Sequence, residues 1–121
     1  MYGCGRNSDG QQGSGGTSDV YVSTFTKRAE NVKDVACTNS ETWYIDNNNN
    51  LYGSGMGFDT FTKRASNVKK VSCSSDANSS DATWYIDNNN NLYGCGMGSY
   101  GQQGSGNTSN VLTFTEKGNR D

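Results

Sequence analysis

Apolar and polar positions alternate in short stretches along the whole chain. Val32 and Val35 flank a short apolar run between Asn31 and Cys37, and Trp43 and Ile45 alternate with Tyr44. Leu51 and Tyr52 open a further stretch, and Phe25, Phe61 and Phe114 each sit among threonines. A period of two predicts strands, and Thr-Phe-Thr adds strand propensity. Nothing has helical spacing over a useful window. With no proline in the chain, glycine and asparagine supply the punctuation.

The stretches repeat. Asn31 to Cys37 returns as Asn67 to Cys73, Thr42 to Asp46 with its asparagines returns at Thr83 to Asn91, and Leu51 to Gly57 returns as Leu92 to Gly98. The chain opens on the same segment, Met1-Tyr2-Gly3-Cys4-Gly5. Thr24 to Ala29 recurs at Thr60 to Ala65 and more loosely at Thr113 to Gly118. The unit is therefore four strands: Val-rich, Trp-rich, Tyr-Gly-rich and Phe-Thr-rich. Full units span residues 31–65 and 67–118, a half unit spans 1–29, and residues 1–121 form a single repeat domain. Repeats of this kind predict an all-β fold of antiparallel four-stranded blades, a partial or oligomer-completed β-propeller.

Strand alternation assigns faces. The predicted core is Val32, Val35, Trp43, Ile45, Phe61, Val68, Val71, Trp84, Ile86 and Phe114. Tyr44 and Tyr85 alternate with the tryptophans and are expected to point outward as interface residues. Asp46 to Asn50 joins two strands of one hairpin, where residues that tolerate positive φ are needed. A calcium loop is the competing reading, since Asp46, Asn48 and Asn50 alternate as ligands would. Leu51 stands where such a loop needs glycine, and no Glu follows at its twelfth position, so the pattern favours a plain turn.

Composition narrows the function classes. Of 121 residues 31% are hydrophobic and 18% charged, and the mean hydropathy is -0.87. Disorder at such hydropathy brings high net charge and few aromatics, yet here the net charge is -2 and aromatics are 11%. The polar excess is asparagine, serine, threonine and glycine, as many tight turns require. Near-neutral charge argues against nucleic acid as a partner, because phosphate binding needs clustered cations. Lys63-Arg64 and Lys69-Lys70 are the nearest approach to a cluster. No apolar run reaches membrane-span length, and Met1 runs straight into a Gly-rich strand rather than a signal peptide, so a soluble chain is expected.

These residues resemble the regulator of chromosome condensation repeat, whose blades carry a Tyr-Gly-Trp-Gly-x-Asn-x-x-Gly-Gln-Leu-Gly-x-Gly signature. One copy is Tyr2 to Gly15, with Gly10-Gln11-Gln12-Gly13; the other is Tyr93 to Gly106, with Gly101-Gln102-Gln103-Gly104. The resemblance covers nearly the whole chain and implies a propeller-type fold. Departures accompany it. Cys4, Ser54 and Cys95 replace the usual tryptophan, Gln12 and Gln103 a leucine, and Asn49 and Asn90 the turn glycine. The middle unit drops the Gly-Gln loop, and Ser74 to Asp81 lengthens the connection before Trp84. The founding member's nucleotide-exchange activity is not implied, because no residue here can be matched to it. Similar proteins bind proteins, so Gln11, Gln12, Tyr100, Gln102 and Gln103 join Tyr44 and Tyr85 as candidate interface residues.

The chain has no histidine, which excludes a Ser-His or Cys-His pair, and its acids are scattered through loops. No enzyme and no cofactor is expected. Cys4, Cys37, Cys73 and Cys95 lie too far apart for a paired zinc motif. They read as small apolar residues or as disulfides, the latter implying an oxidising compartment. The Gly-Gln loops could face an anion or fold over a blade edge, and the second reading is favoured.

Two and a half units do not close a ring. Open blade faces and strand edges invite a further chain. The expectation is a non-enzymatic binding or assembly module whose protein partners include copies of itself. The alternatives are a structural subunit of a surface filament or particle and a piece of a larger propeller that binds or inhibits another protein; the chain's location is open, with a lean toward the extracellular space or a surface.

Overall fold

A computed structural model describes residues 1–15, 21–55, 58–75, 81–96 and 111–119. These form ten strands: β1 Tyr2–Arg6, β2 Tyr21–Lys27, β3 Val32–Cys37, β4 Glu41–Asp46, β5 Leu51–Gly55, β6 Phe58–Ala65, β7 Val68–Ser74, β8 Ala82–Asp87, β9 Asn91–Gly96 and β10 Val111–Asn119. Every pair is antiparallel, and each strand pairs with its neighbour in sequence. The result is a two-stranded sheet β1-β2 and two four-stranded sheets, β3-β4-β5-β6 and β7-β8-β9-β10. The fold is all-β, as three blades of which the first has half its strands. No helix among the described residues is long and apolar enough to cross a membrane.

The asparagine turns close by local hydrogen bonding. Asn48 N–H and Asn50 N–H donate to Asp46 Oδ1 at 2.9 and 3.0 Å, and Asn50 Nδ2 donates to Oδ2 at 3.3 Å. Asp87 receives the same three donors from Asn89 and Asn91. Asn49 and Asn90 take φ of 66° and 67°, the left-handed conformation that asparagine tolerates better than other side chains. The carboxylate oxygens thus face the loop's own N–H groups, the arrangement of a hairpin turn.

Glycine is required where β5 ends. Gly55 has φ of +124°, and a Cβ there would lie 2.0 Å from the Ser40 carbonyl oxygen. Such a backbone is open to glycine alone. The equivalent Gly96, at φ +114°, meets the Asp81 carbonyl in the same way.

The core is the seam between the four-stranded sheets, where β3 and β4 pack against β7. Ile45, Leu51 and Val68 are fully buried there, joined by Trp43, Val71 and Tyr85. Burying side chains of this size contributes about 1.5–3 kcal/mol each. Phe114 meets Trp43 and Tyr85 edge-on, at centroid distances of 5.5 and 4.7 Å.

The assignment of faces needs correction. A sheet in a blade stack is covered on both sides, so Tyr44 and Tyr85 are buried between blades and not outward. Tyr44 stacks on Tyr52 at 4.9 Å and meets Phe61 edge-on; Tyr85 stacks on Tyr93 at 4.8 Å and meets Phe114. Val35, expected in the core, is 47% exposed, whereas its counterpart Val71 is 4% exposed. Val71 has a complete sheet over it, and Val35 faces a sheet of two strands. Val32, Phe61, Trp84, Ile86 and Phe114 are half-buried. Trp84 and Ile86 lie on the face of β8 opposite Tyr85, at the far side of the last sheet.

Candidate interaction surface

The Gly-Gln loop after β1 folds across to the first four-stranded sheet. Asn7 Oδ1 accepts Gln12 N–H at 3.0 Å, and Gln11 Oε1 accepts Asp9 N–H at 2.9 Å, which fixes the loop's shape. Ser54 Oγ donates to Gly10 O at 2.6 Å, and Ser14 bridges Thr60. At Gly13, φ is +67° and a Cβ would lie 2.3 Å from the Phe61 ring, so this close approach also demands glycine.

Gln11 and Gln12 are therefore not an outward interface. Both are buried. Gln11 Nε2 donates to Asn39 O at 3.1 Å, and Gln12 Nε2 donates to Cys4 O at 3.0 Å. Their amides thus donate to backbone carbonyls, as buried polar groups require. Tyr100, Gln102 and Gln103 lie outside the described residues.

A polar corner continues this line to the second blade. Asn39 N–H donates to Ser75 Oγ at 3.2 Å, and Ser40 and Ser75 both donate to the buried carboxylate of Asp81. Glu41 sits beside this corner. Burial pushes its carboxyl up, against the favourable Arg64 charge. Trp43 Nε1 is buried within electrostatic reach of Glu41, with no hydrogen bond of normal geometry.

Cys4, Cys37, Cys73 and Cys95 are thiols and not disulfides. Burial raises Cys73 and Cys95 to about 12, which leaves them protonated and inert at neutral pH. Among the described residues no three metal-ligating side chains cluster.

A groove of about 590 Å³ lies between the two-stranded sheet and the first four-stranded sheet. Met1, Tyr2 and Phe25 form one wall, and Val35, Cys37 and Thr42 another. Tyr2 is 64% and Phe25 74% exposed, and with Val35 they are the large apolar side chains that the described fold leaves open. A groove with apolar walls rimmed by amides suits polypeptide better than a charged small molecule.

Solved structures share this fold. Prp20p from Saccharomyces cerevisiae superposes with a TM-score of 0.82 over 98% of the chain, at 18% identity. A second structure of yeast RCC1 (Prp20), bound to Kap60, gives the same TM-score and identity. Human WBSCR16 gives 0.70 over 93% of the chain, also at 18% identity. The fold is that of RCC1-type propeller blades. The chain spans about a third of each RCC1-type structure, 34% of Prp20p and 33% of WBSCR16. No protein-family model and no curated protein sequence matches it. The agreement thus lies in blade geometry. The Prp20p structure is described with its binding to Gsp1p and histones.

Proposed function

We propose that the chain is a non-enzymatic protein-binding module of RCC1-type blades that associates head to tail with copies of itself. One contact carries this reading. Inside the chain, Trp43 of one blade meets Phe114 of the next at 5.5 Å. Among the described residues, both halves of that contact recur without a ring partner, at opposite faces of the stack. Phe25, the counterpart of Phe114, is 74% exposed, and Trp84, the counterpart of Trp43, is half-buried on the outer face of the last sheet. A second copy set against the first would repeat a contact the chain already makes.

Binding by Prp20p to Gsp1p and histones supports protein as the ligand class for such blades, without transferring those partners. A net charge of -2 also supports protein over nucleic acid. The two ends of the stack differ, two strands against four, so the association is heterologous. A rotation that closes gives a ring and one that does not gives a filament, which is the second reading: a structural subunit.

Size-exclusion chromatography with light scattering, run over a range of concentrations, tests the proposal. The expected mass rises above the 13.0 kDa of one chain, and Trp84→Glu returns it to that value. A native chain that stays at 13.0 kDa throughout overturns self-association.

A further inference from the structure

We infer that the edge of β1 with which no described strand pairs, together with the groove beside it, is an acceptor for one added β-strand of the Glu-Thr-Trp-Tyr-Ile-Asp type, presented by a partner polypeptide. The inference rests on the protein-binding reading above but not on self-association.

The internal repeat identifies the occupant. The β1-β2 pair has the same register as β5-β6. Tyr2↔Lys27, Gly3↔Thr26 and Gly5↔Val22 repeat Tyr52↔Lys63, Gly53↔Thr62 and Gly55↔Phe58. In the complete blades the other edge of this pair carries the Trp-rich strand, with Trp43 opposite Gly53 and Tyr44 opposite Tyr52. The second blade does the same, with Trp84 opposite Gly94 and Tyr85 opposite Tyr93. Two independent blades thus fix one register. Carried to β1, it sets a tryptophan opposite Gly3 and a tyrosine opposite Tyr2.

The tyrosine of such a strand meets a prepared surface, and its tryptophan meets one now held by Gln12. Tyr44 lies between the faces of Tyr52 and the edge of Phe61, and Tyr85 between Tyr93 and Phe114. Tyr2 and Phe25 are the same two positions with the middle ring missing, which accounts for their exposure. On the other face, Trp43 packs over Gly53, where a Cβ would lie 2.7 Å from its ring. At Gly3 the same space is held by Gln12, whose Oε1 would lie 2.7 Å from a Cβ. The indole of an incoming strand replaces that carboxamide and covers Val35, as Trp43 shares the core with Val71. Charge agrees as well. Arg64 and Lys63 favour the ionised forms of Glu41 and Asp46 at the two ends of β4. Arg28 and Lys27 are their counterparts beside β1, Arg28 in the groove wall and Lys27 paired with the exposed Glu30. Backbone pairing supplies affinity in such strand addition, and alternate side chains supply specificity.

The probe is a fluorescein-labelled peptide with the sequence of residues 31–50, titrated with the full chain carrying Trp84→Glu so that self-association is absent. Saturable anisotropy is expected. Tyr44→Ala or Trp43→Ala in the peptide, and Tyr2→Ala or Phe25→Ala in the chain, each weaken it by about tenfold. Tyr2 and Phe25 are exposed, so their loss leaves folding intact. No saturable binding, or binding indifferent to all four changes, overturns the inference. A chain that stays monomeric yet binds the peptide removes the self-association reading and keeps this one. A chain that self-associates but ignores the peptide does the reverse.

Discussion

Ser54 donates its hydroxyl to the carbonyl of Gly10 across 44 residues of sequence, and both ends of the bond are buried. It fastens the loop of one blade to the body of the next. Cys4 and Cys95 stand at the equivalent positions of the other units, and a thiol is a weaker donor than a hydroxyl. Serine therefore marks the blade on which the loop is seated. Ser54→Ala leaves a buried carbonyl without its donor and is expected to cost about 1–3 kcal/mol of stability. Urea unfolding measures it. An unchanged midpoint would show that the loop closes without this bond.

Gly13→Ala tests the same clasp from its other side. The substitution combines a left-handed backbone with a Cβ driven into the Phe61 ring. Each is unfavourable, and together they are expected to cost about 2–4 kcal/mol or to expel the loop. Limited proteolysis distinguishes the two. Cleavage within residues 7–15 at unchanged melting temperature means that the loop lifts while the blades hold.

The repeats made the blades legible, because four strand types recur in order and the turn asparagines recur with them. Asn49 and Asn90, in place of the usual glycine, could be read as left-handed turn positions, and their φ values agree. Which face of each strand is outward was not legible. Alternation separates Trp43 from Tyr44, but a stacked blade buries both, and only the neighbour's presence decides exposure. Val35 and Val71 have the same local sequence pattern and opposite burial for that reason. The Gly-Gln loop concealed its role in another way. Gln11 and Gln12 look like surface amides, and the signal that they are not was Ser54, in a position that is cysteine elsewhere.

Asp46 and Asp87 should make the fold sensitive to acid. Partial desolvation disfavours the Asp46 carboxylate, but the hydrogen bonds from Asn50 and Asn48 outweigh it and hold its pKa below the usual range. For Asp87 the Asn91 backbone hydrogen bond dominates, to the same effect. A group depressed in the folded state stabilises above its unfolded pKa, here 3.8, and the contribution disappears as pH falls through the folded value. Glu41 acts oppositely: burial raises it, so its protonation on acidification recovers some stability. Melting temperature is expected to drop below about pH 4. The Asp46→Asn, Asp87→Asn double variant should melt lower at pH 7 and lose less on acidification. An acid limb as steep as that of the native chain would assign the sensitivity to other carboxylates.

Thiol reactivity should divide the cysteines into two pairs. Cys4 and Cys37 are exposed, and Cys73 and Cys95 are half-buried, with burial raising their pKa to about 12. Only the thiolate attacks a disulfide reagent. The native chain at pH 7.5 should therefore release two equivalents rapidly with an aromatic disulfide reagent, and the remaining two on unfolding. Four fast equivalents would mean that the seam between the blades opens readily.

The contact proposed between Phe25 and Trp84 of successive copies can be isolated from everything else by a double-mutant cycle. Phe25→Ala and Trp84→Ala each remove one half of an edge-on pair whose internal counterpart is Trp43 with Phe114. If the rings meet, each single change weakens association, and the double change weakens it by less than the sum. The coupling expected for such a pair is about 0.5–1.5 kcal/mol. Sedimentation equilibrium gives the association constants directly. Neither side chain is in the central seam, so circular dichroism spectra should coincide for all four chains. Strictly additive losses would mean that both residues lie in the interface without touching. Unchanged association in both single variants would place the interface elsewhere and leave the blade ends to a different partner.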